Sequence, residues 1–358
     1  MAAARLTIDL AAIVANWRAL AAMSRGETGA VVKADAYGLG AARVAPALMA
    51  AGARSFFVAL AEEGAALRAA LGPLPRIFVF SGIMPGEAPL IRAANLIPLL
   101  NSRAQALEAK ALAASLGRPL SVGLQLDTGM NRLGLEPADL SALLAAPDGL
   151  AGLDLALVMS HLACADEPDH PMNAAQREAF RAMTAHPVLS RVPRSLGATG
   201  GVLLGPDFHY DMTRPGVGLY GGLPFAEARP VVTLEAPIVQ VREVAEGEAV
   251  GYGAAWRADA PRRIATISVG YADGLHRALS AGFTAWLGAA PLPSAGRVSM
   301  DLITLDATQC PEARDGAFVT LLGPGQGVDD LAAKAGTIGY EILTSLGARY
   351  ARRYTGGD

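Results

Sequence analysis

Cysteine is nearly absent from this chain, with only Cys164 and Cys310 among 358 residues. Two thiols so far apart give no disulfide framework, which excludes the small stapled scaffolds and fits a reducing compartment. An excess of positive charge is also missing. The formal net charge is -3, so no basic surface is offered to nucleic acid. Charged residues make up 18% and hydrophobic residues 52%, a balance that suits large cores and argues against disorder. No apolar run reaches the length of about 18 residues that a membrane helix needs. Arg5, Asp9, Asn16 and Arg18 interrupt the N-terminus before a signal-like apolar region can develop. These absences predict a cytoplasmic protein with neither nucleic acid nor membrane as partner. No G-x-G-x-x-G turn follows the first apolar run, which weakens an open dinucleotide-binding sheet.

What is present is a repeated alternation. The short apolar runs "AVVKA" (30–34), "FFVAL" (56–60), "IFVFS" (77–81), "IPLL" (97–100), "VGLQLD" (122–127), "ALVMSH" (156–161), "SLGAT" (195–199) and "MTRPG" (212–216) recur at fairly regular intervals. Between them lie segments such as "ARVAPALMAAGA", "AEEGAALRAAL" and "SRAQALEAKALAASLG", whose apolar residues recur at three and four positions and several of which end at glycine. Strand alternating with helix means a parallel sheet. Eight such units predict a (β/α)8 barrel of the TIM type, with its site at the C-terminal ends of the strands. Lys33, Asp127, His161, Thr199 and Arg214 come from five of these strands and sit in or at the end of each, so they can converge on one mouth. Singly, each is as easily a polar residue that ends a strand at the surface.

Beyond about residue 226 the pattern changes. "VVTLEAPIVQVREV", "RRIATISVGYADG", "GRVSMDLITLDAT" and "GAFVTLLG" alternate apolar with polar residues and are joined by Gly and Pro, which predicts a mainly antiparallel β domain. The division expected is a barrel over residues 10–226 and a β-rich domain over 227–358, joined by an N-terminal strand within 1–9. After that strand a helix is expected, with Asp9 as N-cap and Ile13, Trp17 and Leu20 on one face.

The stretches "AVVKADAYGLG", "LDTGMNRLG", "MSHLACAD", "TRPGVGLYG", "VGYGAAW", "ISVGYADG" and "GRVSMD" follow in the order and spacing of the bacterial alanine racemases, and the chain resembles that family almost end to end. The resemblance implies an isomerase that uses pyridoxal 5'-phosphate (PLP) to interconvert L-alanine and D-alanine, making D-alanine for peptidoglycan. It also implies a head-to-tail homodimer with two shared active sites. Removing an α-proton requires an electron sink, which PLP provides, and inverting the carbon requires acid/base groups on both faces. By resemblance Lys33 carries the cofactor and serves as one base. Tyr252 matches the second, which in the family comes from the partner subunit. A free phenol ionises near 10, so positive charge must lie close by. The resemblance supplies His161, which would touch that tyrosine, and Arg214, which would bond both His161 and the pyridine nitrogen. A guanidinium gives up no proton at ordinary pH, so the sink is weaker and racemisation is favoured over transamination.

The remaining positions map in the same way. Tyr37, Thr199, Gly216, Val217 and Tyr340 would contact the phosphate, Thr199 standing where many relatives have serine. Arg132 and the Met300 N–H would bind the substrate carboxylate, and Tyr271 and Asp301 would line the entrance. The chain departs from the family at Gln125, where many racemases carry a carbamylated lysine that positions the arginine matching Arg132. Leu39 replaces a frequent histidine. The cluster His161, Cys164, Asp166 and His170 fits no recurring zinc spacing, so no metal is expected. The competing functions are a broader serine-accepting racemase, a non-catalytic PLP-binding protein and a PLP decarboxylase. The last two fit less well, because one lacks the β domain and the other sets an acid where this chain has Arg214.

Overall fold

A computed structural model describes residues 4–357. Residues 1–3 and 358, which fall within the segments expected above, lie outside it. Seven parallel strands run in chain order: Ala30–Val31, Ser55–Val58, Arg76–Val79, Ile97–Leu100, Leu120–Gln125, Leu153–Met159 and Arg194–Ser195. The eighth, Met212–Thr213, pairs in parallel with Glu27–Thr28 just ahead of the first. Two contacts on each side close the ring. The Gly29 and Val31 N–H groups donate to the carbonyls of Thr213 and Pro215, while Asp211 and Arg214 donate to those of Arg194 and Gly197. The eight units legible in the sequence are therefore eight barrel strands, shorter than expected at several mouths. Pro215 brings no donor to extend the last strand. The first stops at Val31, because the chain leaves the sheet one residue before Lys33.

Helices Ala41–Ala51, Ala61–Leu71, Ala88–Ala93, Arg103–Leu116, Pro137–Ala145 and Pro171–Met183 separate these strands in order. Leu10–Met23, from the N-terminal side, covers the closing seam. Its Asp9 cap accepts from the Ala12 N–H at 2.9 Å, and Ile13, Trp17 and Leu20 are buried together. Both faces of the barrel wall are apolar, with consecutive Phe56 and Phe57 and neighbouring Phe78 all fully buried. A filled barrel leaves chemistry only at its rim.

The C-terminal strands form a second sheet. Val232–Val244 is its spine, antiparallel to Arg262–Ile267, to Phe318–Leu322 and to the N-terminal strand Arg5–Asp9. Alternation along the spine puts Val232, Leu234, Ala236 and Ile238 inward. Ala351–Thr355 pairs in parallel with Arg5–Asp9, the one parallel ladder of this sheet among the described residues.

Candidate active site

Lys33 lies two residues beyond the end of the first strand, and the backbone after it is unusual. Ala34, Asp35, Ala36 and Tyr37 all have positive φ, from 50° to 56°, and make one turn of left-handed helix without a glycine. Such a conformation costs roughly 1–2 kcal/mol per residue, so it persists only where the surroundings dictate it. Here they do. The Ala34 N–H donates to Glu63 Oε1 at 2.6 Å, and the Ala41 N–H donates to Asp35 Oδ1 at 2.7 Å. From the other side, Arg352 Nη1 donates to the Gly38 carbonyl at 2.6 Å and Tyr354 Oη to that of Leu39 at 3.1 Å. The turn leaves Lys33 at the mouth with Nζ 5.9 Å from the centre of the Phe80 ring. Burial holds its amine below the ordinary lysine range, the Arg132 charge lowers it further, and the Glu63 carboxylate opposes both.

The end of the same turn builds a cradle. Tyr37 is buried, stacked on Tyr220 at 4.6 Å and tilted against Tyr340 at 6.0 Å. A side-chain carbon at Gly216 would lie 2.3 Å from the Tyr37 hydroxyl. Glycine is therefore required there by close approach. The N–H groups of Gly216 and Gly218 donate to Thr199 Oγ1 at 3.0 and 3.3 Å. Burial keeps the Tyr37 phenol well above its usual range. Burial, with the charges of Asp166 and Asp329, pushes Tyr340 up to about 12. Both phenols therefore keep their protons at neutral pH and, beside backbone that glycine lets approach closely, form donors suited to a tetrahedral anion such as phosphate.

At the same mouth, two residues before Gly216, lies Arg214, 1% exposed. Its guanidinium donates to the carbonyls of Ser160 at 2.7 Å and Leu196 at 3.4 Å and to Ser195 Oγ. No carboxylate pairs with it among the described residues. Burial brings it down to about 9, which still leaves it charged at pH 7. No hydrogen bond joins it to the His161 ring, yet its field reaches that ring. Burial and the charges of Arg214, Arg132 and Lys33 push His161 down to about 3, so the imidazole is neutral at working pH. Lys33, His161, Arg132 and Arg214 thus share one mouth with the cradle. Asp127 does not join them, because its Oδ1 accepts from the N–H groups of Gly129 and Asn131 in its own loop.

Sequence reasoning missed three groups that hold this arrangement. Gln176, buried on helix Pro171–Met183, donates to the His161 carbonyl at 2.9 Å and to Thr128 Oγ1 at 3.2 Å. Ser195 accepts from Arg214 and donates to the Met212 carbonyl. Glu63 ties Lys33's turn to the next helix. For Glu63 the available signal was its place three residues after Leu60 at a helix start, where a carboxylate can turn back to the cap, and Gln176 falls on the helix face shared by Asn173 and Phe180. Nothing distinguished Ser195. Gln125 is buried, and its Nε2 donates to the Leu133 carbonyl at 3.3 Å, beside Arg132.

The other sequence candidates lie on the second sheet. Tyr252 is 71% exposed, in the bend between Ala249–Val250 and Trp256–Arg257. It lines a cavity of about 840 Å³ with Gln240, Arg297 and Leu302, all from the C-terminal part of the chain. Tyr271 and Met300 are partly exposed nearby, the Tyr271 N–H donating to the Ser299 carbonyl at 3.0 Å. Asp301 accepts from Arg349 Nη1 at 2.8 Å, while Arg349 also clamps Asp273 through two bonds of 2.7 Å.

The residues present fit PLP. A lysine amine, an anion cradle that a Cβ would fill, and a buried cation without an anionic partner occupy one rim. Among the described residues no group of three or more His, Cys, Asp or Glu could hold a metal, and no helix is long and apolar enough to cross a membrane.

Two family models match the chain: the alanine racemase N-terminal domain over residues 8–224 and the alanine racemase C-terminal domain over 231–354. An alanine racemase of Cereibacter sphaeroides is 58% identical over 360 aligned positions, covering 99% of both chains. Among solved structures, an alanine racemase from Bartonella henselae with covalently bound pyridoxal phosphate superposes with a TM-score of 0.94 at 39% identity, over 99% of this chain and 100% of that one. The biosynthetic alanine racemase of Pseudomonas aeruginosa gives 0.90 at 40% identity, with the same coverage.

Proposed function

The chain belongs to the alanine racemase family, and from that premise we propose that it interconverts L-alanine and D-alanine with pyridoxal 5'-phosphate, supplying D-alanine for peptidoglycan. The observation that carries this reading beyond family membership is the rim itself: a lysine amine with lowered proton affinity, facing a two-phenol cradle, beside a buried guanidinium that no acid neutralises.

When bound, the cofactor supplies an electron sink for the carbon that loses its proton. Lys33 would anchor it. Tyr37, Thr199, Gly216, Val217 and Tyr340 would hold its phosphate, and Arg214, with His161 beside it, would meet the ring nitrogen. A donor that stays charged at neutral pH there withholds a proton from the ring, which keeps the sink weak and favours simple return of the proton over transamination. Lys33 Nζ holds and moves the proton on one face of the substrate carbon. Tyr252 Oη, supplied by a second copy of the chain, does so on the other. The exposure of Tyr252, with only C-terminal neighbours around it, supports a partner barrel as its destination. The active form is then a homodimer with shared sites.

Arg132 and the Met300 N–H would bind the substrate carboxylate, with Tyr271 and Asp301 at the entrance. In place of the family's carbamylated lysine, the neutral Gln125 amide steadies the Arg132 loop through the Leu133 carbonyl. We divide the chain into a barrel domain, 10–226, and a C-terminal domain, 227–358, to which the strand within 1–9 is joined. The ladder between Arg5–Asp9 and Ala351–Thr355 supports this. We place the protein in the cytoplasm, where two unpaired cysteines stay reduced.

A chiral assay tests the reading. Purified protein should convert L-alanine to D-alanine, faster with added PLP and in preference to L-serine. Tyr252→Phe should keep the cofactor but lose α-hydrogen exchange chiefly from L-alanine. Equal loss from both enantiomers would contradict the assignment of two faces.

A further inference from the structure

Glu63 makes contacts that a surface helix residue has no need of. It is half-buried in the first turn of helix Ala61–Leu71. Oε2 accepts from the N–H groups of Ala59 and Leu60 at 2.8 and 3.2 Å. Those bonds cap its own helix, satisfying donors that would otherwise be free. The other oxygen reaches a different strand's loop, where Oε1 accepts from the Ala34 N–H at 2.6 Å. Capping does not require that bond. Ala34 opens the left-handed turn and is bonded directly to Lys33, so the carboxylate grips the peptide that joins the lysine to the turn. Its charge also acts on that amine. Arg132 from the loop after the fifth strand pushes the amine toward neutrality, and Glu63 from the second βα unit is the anion opposing it. His161 faces the same group but is uncharged at neutral pH.

Resting on the assignment of Lys33 as the cofactor's anchor, we propose that Glu63 is a positioning residue for that lysine: it fixes the first peptide of the left-handed turn and sets the proton affinity of the Lys33 nitrogen. The two roles separate by substitution. Glu63→Gln keeps the length but loses the charge. Glu63→Asp keeps the charge and the helix cap, but is too short to cap and also reach Ala34.

The test uses PLP-loaded protein and two readouts besides turnover. One is the midpoint of the pH titration of its visible absorbance. The other is amide hydrogen exchange of the segment 33–40, measured by mass spectrometry. In Glu63→Gln the midpoint should move to lower pH, because an anion that favours the protonated nitrogen has gone. In Glu63→Asp the midpoint should stay near that of the unaltered protein, while exchange in 33–40 speeds up and kcat falls. Glu62→Gln, on the same turn but exposed, should change neither. An unmoved midpoint in Glu63→Gln, whatever its melting temperature, would reduce Glu63 to a helix cap. If Glu63→Gln does not fold, Glu63→Asp with unaltered exchange and kcat overturns the proposal alone. Lys33→Ala distinguishes the underlying assignment: a variant that keeps the visible band removes Lys33 from cofactor binding, independently of any Glu63 result.

Discussion

Replacing Gly216 by alanine probes the cradle at its tightest point. The backbone φ there is −125°, outside the left-handed region, and any main-chain cost of the substitution is common to the two backgrounds compared below. The added carbon would lie 2.3 Å from the Tyr37 hydroxyl and 3.2 Å from the ring carbon that bears it. An ordinary contact is about 3.4 Å or more, leaving an overlap of roughly 1 Å with a phenol that cannot retreat, since Tyr220 and Tyr340 pack against it. Overpacking of this kind costs about 1–3 kcal/mol. Displacing the hydroxyl removes a charge-assisted bond to phosphate worth about 1.5–3 kcal/mol. That is roughly 10- to 150-fold in the Kd for PLP, at tenfold per 1.4 kcal/mol. Tyr37→Phe removes the overlapping atom and leaves only the tolerable carbon contact. The double variant should therefore be more stable than the sum of the singles by roughly 1–2 kcal/mol. Urea unfolding of the four proteins without added cofactor measures that coupling, and absorbance titration with PLP measures the affinity. Stability losses that add within about 0.5 kcal/mol would refute the contact.

Lys33→Ala should abolish the visible absorbance of the purified, cofactor-saturated protein while leaving the fold intact, checked by absorbance and far-ultraviolet dichroism. His161, half-buried among the charges of Arg214, Arg132 and Lys33, makes acid costly. Its folded value, about 3, lies below the ordinary 6.5, so between these values the unfolded chain binds a proton that the fold refuses. Stability contributed by the neutral ring is thus intact above pH 6.5 and lost as pH falls toward 3, by at most about 1.4 kcal/mol per pH unit. In His161→Gln that part of the acid limb should be shallower in denaturant unfolding measured from pH 7 to 4. Gln125→Ala removes the donor to Leu133 and loosens the Arg132 loop. KM for alanine should rise more than kcat falls, and unaltered kinetics would discredit that role.

The barrel was legible because its strands are short, apolar and punctuated, and the second sheet because its strands alternate. The parallel ladder that brings Ala351–Thr355 beside Arg5–Asp9 was not, since pairing across nearly the whole chain leaves no local trace. The site was legible where motif and residue coincide, as at Lys33, Arg214 and Gly216. It was illegible where tertiary contacts override local preference. Nothing in "ADAY" signals positive φ, because alanine and tyrosine disfavour it, and it takes contacts from distant Glu63, Arg352 and Tyr354, with the packing of Tyr37, to hold the segment there. Asp127 misled for a related reason. Its place at a strand end suggested the mouth, but a carboxylate beside free N–H groups turns to its own loop.

That grip on the turn has a consequence for biosynthesis. Two of the groups that hold the carbonyls just past Tyr37 belong to Arg352 and Tyr354, 314 and 315 residues further along the chain. The segment beside Lys33 therefore acquires its full set of tethers only once the strand Ala351–Thr355 has been made. Until then the turn that carries the lysine is only partly held.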